Sequence, residues 1–303
     1  MKKYIFTTLG LIMGFVASSQ DILEADPIKM NNVYDKSQHT KKEIVPLSPL
    51  READVMWSRK IWRDIDLRQK INHPLYYPQE EIVETIDRDN LFTVLYNAAT
   101  GNSEVSIRAF SGAEIDDEFK QEMTAPELIK LIKGVQQKSV EQDMYGGDSL
   151  DVNGDVVYQI GSGVYKDNIK HSDIKKWRIK EQWFFDKQRS VMDVRILGMC
   201  PIADDRDENG LLTGQGRMIC WFYFPEVRNV LRNAQAFNLV KNEAENRTFE
   251  DIFMKRMFSS TIVKQGNVYD REIGEYMVGL DAILEAERIK TEVFNIEHDL
   301  WEY

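Results

Sequence analysis

Reactive side chains are few in this sequence and lie far apart. The four histidines, His39, His73, His171 and His298, form no H-x-x-x-H pair, so a helical zinc site of that kind is absent. There is no G-x-S-x-G elbow. Gly161-Ser162-Gly163 lacks the third glycine and the helix of a dinucleotide loop, and reads as a bulge or a close backbone approach within a strand. Carboxylates are plentiful, but no pair stands out for acid–base work. Cys200 and Cys220 are the whole thiol inventory. They flank a polar loop, Pro201 to Ile219, between two apolar runs. In an oxidising compartment such a pair reads first as a disulfide, whose loop closure stabilises by roughly 3 kcal/mol in the chain-entropy model. Two separate buried thiols are the other reading.

Asp205, Asp207 and Asn209 with Gly210 match the first half of a D-x-D-x-N-G calcium loop, in which alternate oxygens wrap a hard cation around a glycine turn. The twelfth position is Gly216 rather than the bidentate glutamate, and strands flank the loop. Asp-Asn-Gly runs are also ordinary hairpin chemistry. Calcium is thus the one cofactor left open, and none is required. The loop carrying Asp148, Asp151, Asn153, Gly154 and Asp155 is no stronger. Asp148-Ser149-Leu150 resembles the three-residue O-glycosylation signal of exported Bacteroidetes proteins, with Ser149 as acceptor. Trp177 and Trp183 share one strand face, which suits either sugar stacking or a core beneath helices.

The first twenty residues say where this chemistry would operate. Lys2 and Lys3 form a positive head, Tyr4 to Val16 is mostly apolar but too short to span a bilayer, and Ala17-Ser18-Ser19 suits a signal peptidase. No cysteine is present there to be lipidated. Residues 1–19 therefore read as a signal peptide, and the mature chain as exported, soluble and without its own membrane hold. Losing Lys2 and Lys3 from the 39 basic residues moves the formal charge from −11 to −13. Such an acidic surface disfavours nucleic acid and direct insertion into anionic lipid, so a membrane link should run through a protein partner.

Residues 20–47 form a polar arm with Pro27, Pro46 and the basic pair Lys41-Lys42. It cannot bury enough surface to offset its ordering entropy. It is either a loose leader or an arm that orders on a neighbouring subunit. Residues 48–303 then read as a single α+β domain, divisible into a helical part over 48–140 and a sheet-plus-helix part over 150–303. Ser48-Pro49 predicts a helix with Trp57, Ile61 and Ile65 on one face, ending near Asn72 because His73 precedes Pro74. A second helix should carry Ile82, Val83 and Ile86. Phe92 to Tyr96 and Val105 to Phe110 read as strands around Thr100-Gly101-Asn102. Thr124-Ala125-Pro126-Glu127 is a capping box before Leu128, Leu131, Ile132 and Val135.

Val156–Tyr165 reads as a strand, alternation marks two more at Trp177–Phe185 and Met192–Ile196, and the apolar run Met218–Phe224 follows. Short turns join them, so an antiparallel meander packed with several helices is the expected fold. Helices follow at Pro225, carrying Val227, Val230, Leu231 and Ala234, and at Thr248, carrying Ile252, Phe253 and Met257. A third spans about Glu275 to Thr291, with Leu280, Ile283 and Leu284 expected inside. The tail Phe294 to Tyr303 sets Ile296, Leu300 and Trp301 on a charged background.

Longer strings carry a resemblance. Trp57-Ser58-Arg59-Lys60-Ile61-Trp62-Arg63-Asp64-Ile65-Asp66-Leu67-Arg68 and Lys70-Ile71-Asn72-His73-Pro74-Leu75-Tyr76-Tyr77-Pro78 are similar to the GldN/PorN family of gliding-motility and type IX secretion proteins. So are Arg195-Ile196-Leu197-Gly198, Trp221–Arg228, Phe249–Ser259, Asp281–Lys290 and Glu297-His298-Asp299-Leu300-Trp301. The resemblance covers nearly the whole mature chain in order, although Cys200, Cys220 and the acidic loop between them do not map onto it. It implies a non-enzymatic periplasmic protein. It implies a ring built of copies of the chain with an outer-membrane lipoprotein of the GldK/PorK type, touching an inner-membrane-anchored motor protein of the GldM/PorM type. Such a ring lies against the inner face of the outer membrane. Partner contacts need aromatic and apolar anchors; the candidates are the arm and the tail residues Phe294, Ile296, Leu300, Trp301 and Tyr303. The competing reading is a free periplasmic calcium- or glycan-binding protein.

Overall fold

The computed structural model describes residues 43–79, 88–112, 117–133, 136–140, 158–165, 169–206, 212–237 and 247–299. The expectations for the leader, most of the arm, Ile82, Val83 and Ile86, Val135, the loop around Asp148 to Asp155 and residues 300–303 lie outside the described residues. Lys42–Tyr303 forms one compact unit by its contacts.

In chain order the elements are β1 (Val55–Asp66), α1 (His73–Tyr76), α2 (Leu91–Thr100), β2 (Ala109–Ser111), β3 (Glu122–Met123), α3 (Ala125–Lys133), β4 (Gln136–Val140) and β5 (Tyr158–Tyr165). They continue with β6 (Ile174–Asp186), β7 (Val191–Arg206), β8 (Leu212–Met218), β9 (Cys220–Tyr223), α4 (Phe224–Leu231), α5 (Phe249–Met254), β10 (Thr261–Gln265), α6 (Ile273–Tyr276) and α7 (Leu280–Asp299). Eight strands form one antiparallel sheet in the order β10-β1-β6-β7-β9-β2-β3, with β8 also paired to β7. β4 and β5 make a separate antiparallel pair. The architecture is the α+β antiparallel sheet with helices that the alternating runs imply. The β6–β7 hairpin with β8 and β9 is the meander; β1 and β10 extend it on the far side of β6.

The largest correction is β1. The expected helix from Ser48 is a twelve-residue strand, paired with β6 from Val55↔Asp186 to Asp66↔Lys176. A spacing of four is a multiple of the strand period of two as well as close to one helical turn, so Trp57, Ile61 and Ile65 share a face either way. β-branched and aromatic side chains, together with a long partner strand, decide for the sheet. Ser48 caps nothing: its carbonyl and hydroxyl accept from Arg195 and Arg189. His73 adopts helical geometry, and Pro74 sits in the first turn of α1, where a missing N–H costs nothing.

Phe92–Tyr96 is helical rather than a strand. Asn90 Oδ1 accepts from Thr93 N at 2.8 Å, and Gly101 closes α2 in the left-handed region at φ 82°. Leu91, Leu95 and Ala98 are buried at helical spacing. Of the run Val105–Phe110, only its end enters the sheet, as β2. At Thr124 the Glu127 carboxylate accepts from the Thr124 N–H at 2.8 Å, the reciprocal half of the box. Thr248 and Asp251 make a complete capping box at α5. Met257 lies beyond that helix.

The main core lies where α2, α3, α4 and α5 cover part of the sheet. Ile65, Trp177, Ile179, Met199 and Phe222 meet Leu95, Leu128, Val227 and Phe253 there. Arg228 on α4 is buried and paired with Glu250 Oε1 on α5 at 2.8 Å, while its Nη2 also donates to the Val45 carbonyl at 2.8 Å. A smaller apolar cluster forms under α7 from Ile61, Ile262, Ile273, Ala286, Ile289 and Val293. A third gathers Trp62, Phe110, Cys200 and Trp221.

Candidate docking surface

No catalytic constellation assembles among the described residues. No group of three or more His, Cys, Asp or Glu is placed to hold a metal ion. His73 packs edge-on against Tyr77, and His298 is exposed near Asp299. Asp205 sits near the end of β7, whereas Asp207 and Asn209 lie outside the described residues. Trp177 is fully buried in the core and offers no sugar platform. Trp183, on the same face, is half-buried beneath the Arg256 guanidinium.

The expected disulfide is corrected. Cys200 and Cys220 are free buried thiols. β7 and β9 pair Met199 with Phe222, and alternation does the rest. Cys200 joins the cluster of Trp62, Phe110 and Trp221, while Cys220 faces the main core with Phe222. Neighbouring strands therefore hold the two sulfurs on opposite faces of the sheet, where no bond can form without flipping a strand. Burial pushes the Cys200 thiol up to about 12 and the Cys220 thiol well above its ordinary value. Neither is a nucleophile in the native state.

What the fold does build is a surface around α7. This helix has two apolar stripes. Ala282, Ala286, Ile289 and Val293 recur at steps of three and four and seat it on Ile61 and Ile262 of the sheet. The opposite stripe begins with Leu280, Ile283 and Leu284. These were expected inside, yet they are 70%, 60% and 58% exposed. Tyr276, Met277 and Val278, in α6 and the link ahead of α7, are exposed beside them. The link turns at Gly279, whose φ of 63° favours a residue without Cβ. Tyr276 donates its hydroxyl to Glu285 at 3.4 Å, so α6 lies against the first turns of α7. Tyr276 to Leu284 thus presents six exposed large apolar side chains, and exposed apolar patches on a monomer are often functional.

The C-terminal candidates divide. α7 runs unbroken to Asp299, so Phe294 and Ile296 belong to a helix rather than to a separate tail. Phe294 is exposed and Ile296 half-buried. Phe294 borders a cleft of about 260 Å³ with Ile61, Trp183, Ile262 and Val293. Leu300, Trp301 and Tyr303 lie outside the described residues.

The floor under α7 is held by charge. Glu181 on β6 is fully buried and accepts from Arg256 Nη1 at 2.8 Å and from Trp183 Nε1 at 3.0 Å. Arg256 also stacks on Trp183 and Phe258, which ties the turn after α5 to the sheet. Arg59 of β1 reaches Glu292 of α7 at 2.9 Å. Around the outward stripe the charge is net acidic. Residues 270–290 carry Asp270, Glu272, Glu275, Asp281, Glu285 and Glu287 against Arg271, Arg288 and Lys290. Several are paired at the margins: Asp270 with Lys264, Glu272 with Arg178, Glu285 with Arg288 and Glu287 with Lys290. Glu275 and Asp281 have no ion-pair partner among the described residues. Sequence reasoning missed this surface because it assigned the wrong stripe of α7 to the core.

The family model described as gliding motility associated protein GldN matches residues 50–302. The chain belongs to the GldN family. No curated protein matches it significantly. This GldN-family chain is thus a gliding-motility- and type IX secretion-associated protein. Within the described residues no helix is long and apolar enough to cross a membrane.

Proposed function

We propose that the chain is a non-enzymatic structural subunit of the type IX secretion and gliding machinery. In this reading it is exported by its leader and repeats in a periplasmic ring with an outer-membrane lipoprotein of the GldK/PorK type, against the inner face of the outer membrane. The ring meets an inner-membrane-anchored motor protein of the GldM/PorM type. The observation that carries this reading is the outward stripe of α7, an apolar face left uncovered among the described residues of a family member in which those residues assemble no catalytic cluster. Ring growth repeats one heterologous contact until it closes, so each copy needs two different docking faces. Co-expression with the candidate lipoprotein followed by electron microscopy tests it. Closed rings are expected, and a lone monomer that never co-purifies would overturn the reading.

A second reading is a free calcium- or glycan-binding periplasmic protein. One observation favours it: a cleft of about 580 Å³ lined in part by Phe92, Tyr96, Asn97, Lys133 and Lys170. Titration with calcium and with oligosaccharides separates the two, since saturable micromolar binding by the isolated chain belongs to the second alone.

A further inference from the structure

The acid-rimmed apolar face from Tyr276 to Leu284 needs an occupant of opposite charge. We propose that it seats residues 28–42 of a neighbouring copy of the same chain. This segment carries Ile28, Met30, Val33 and Tyr34 as apolar anchors. Around them stand Lys29, Lys36, Lys41 and Lys42, against Asp35 alone. It is the complement of the face: basic where the face is acidic, apolar where the face is apolar. The same face on a second copy is not, since two acid rims would meet in a symmetric dimer. The chain's own last residues are too short. α7 spans 20 residues, about 30 Å, and the face sits at its N-terminal end, beyond the reach of residues 300–303.

Length and attachment allow a reach between copies. Behind the segment the chain is pinned where Arg228 holds the Val45 carbonyl and Arg189 the Ser48 hydroxyl. The fifteen residues of 28–42 then span up to roughly 50 Å when extended. Segment and face are different surfaces, so their union is head-to-tail and repeatable. The proposal rests on the ring reading, for which it supplies the contact between subunits.

The test uses the chain without residues 1–19 in three forms: unaltered, Ile28→Ser with Met30→Ser, and Leu280→Ser with Leu284→Ser. Leu280 and Leu284 stand in solvent, so the thermal midpoint should not move, which separates lost docking from lost folding. Sedimentation velocity should show oligomers growing with concentration for the unaltered chain and monomers for each variant alone. An equal mixture of the two variants should form dimers that grow no further, because one segment and one seat remain between them. A labelled peptide of residues 20–42 should bind the Ile28→Ser, Met30→Ser chain, and at least about tenfold more weakly once Leu280→Ser and Leu284→Ser are added.

Peptide binding indifferent to the α7 changes overturns the proposal, as does a mixture that stays monomeric. An unaltered chain that stays monomeric while the peptide binds only when Ile28 and Met30 are changed places the contact within one chain, which also overturns it. The peptide titration needs no lipoprotein. Peptide bound as expected with no ring on co-expression would remove the ring reading and leave the seat, whereas rings with no peptide binding would do the reverse.

Discussion

Glu181 gives the sharpest test of how the docking surface is held. Consider Glu181→Met, which keeps length and removes the charge. The native carboxylate is fully buried and accepts two bonds from Arg256, at 2.8 and 3.3 Å, and one from the Trp183 indole at 3.0 Å. Breaking a fully buried pair by removing one partner costs about 3–5 kcal/mol, because the remaining charge is stranded. Arg256 keeps 30% of its side chain exposed, so water recovers part of that loss. We therefore expect a loss of about 2–3 kcal/mol, a large share of a typical total of about 5–15 kcal/mol. Urea denaturation reads it as a lower midpoint at unchanged slope. Adding Arg256→Met should restore at least half of the loss, since the stranded cation is gone and two methionines fill the site. A single variant that loses less than about 0.5 kcal/mol, or a double variant that loses the sum of both singles, would refute the reasoning.

Three further outcomes follow from the same structure. Under non-reducing conditions both thiols should resist a thiol reagent in the native protein and both should react in denaturant; none reacting in denaturant would restore the disulfide. Gly112→Ala should cost at least about 2 kcal/mol in urea unfolding, because its Cβ would lie 2.3 Å from the Ile219 carbonyl oxygen and 2.9 Å from Cys220 N, backbone atoms that cannot swing aside. Acid should weaken the fold from the carboxylate side. The Arg68, Arg189 and Arg108 guanidiniums hydrogen-bond Asp66, Asp186 and Glu226 and hold each below its ordinary value. Groups depressed on folding stabilise fully above their unfolded pKa and lose that contribution as pH falls through the folded one. The urea midpoint should thus be flat from neutrality to about pH 5 and fall below it; a midpoint that rises on acidification would contradict this.

Much of this molecule is written locally. Alternation over Trp177–Phe185 and Met192–Ile196 fixes β6 and β7, because one side of a strand must face the core and a slip of one residue would turn every side chain over. The caps at Thr124 and Thr248 fix two helix starts through bonds spanning three residues. Composition and the long residue strings place the chain in its family. Three features are decided only at long range. Trp57, Ile61 and Ile65 fit helix and strand equally, and the pairing partner, 120 residues further on, chooses between them. The two cysteines suit a disulfide by spacing, but the register of β9 against β7 turns their sulfurs to opposite faces. α7 carries two apolar stripes of similar periodicity, and no local rule says which meets the sheet. Packing against Ile61 and Ile262 takes Ala286, Ile289 and Val293, the smaller and flatter stripe, and leaves Leu280, Ile283 and Leu284 outside. Periodicity reports that a face is apolar; only the tertiary fold reports whether it is already covered.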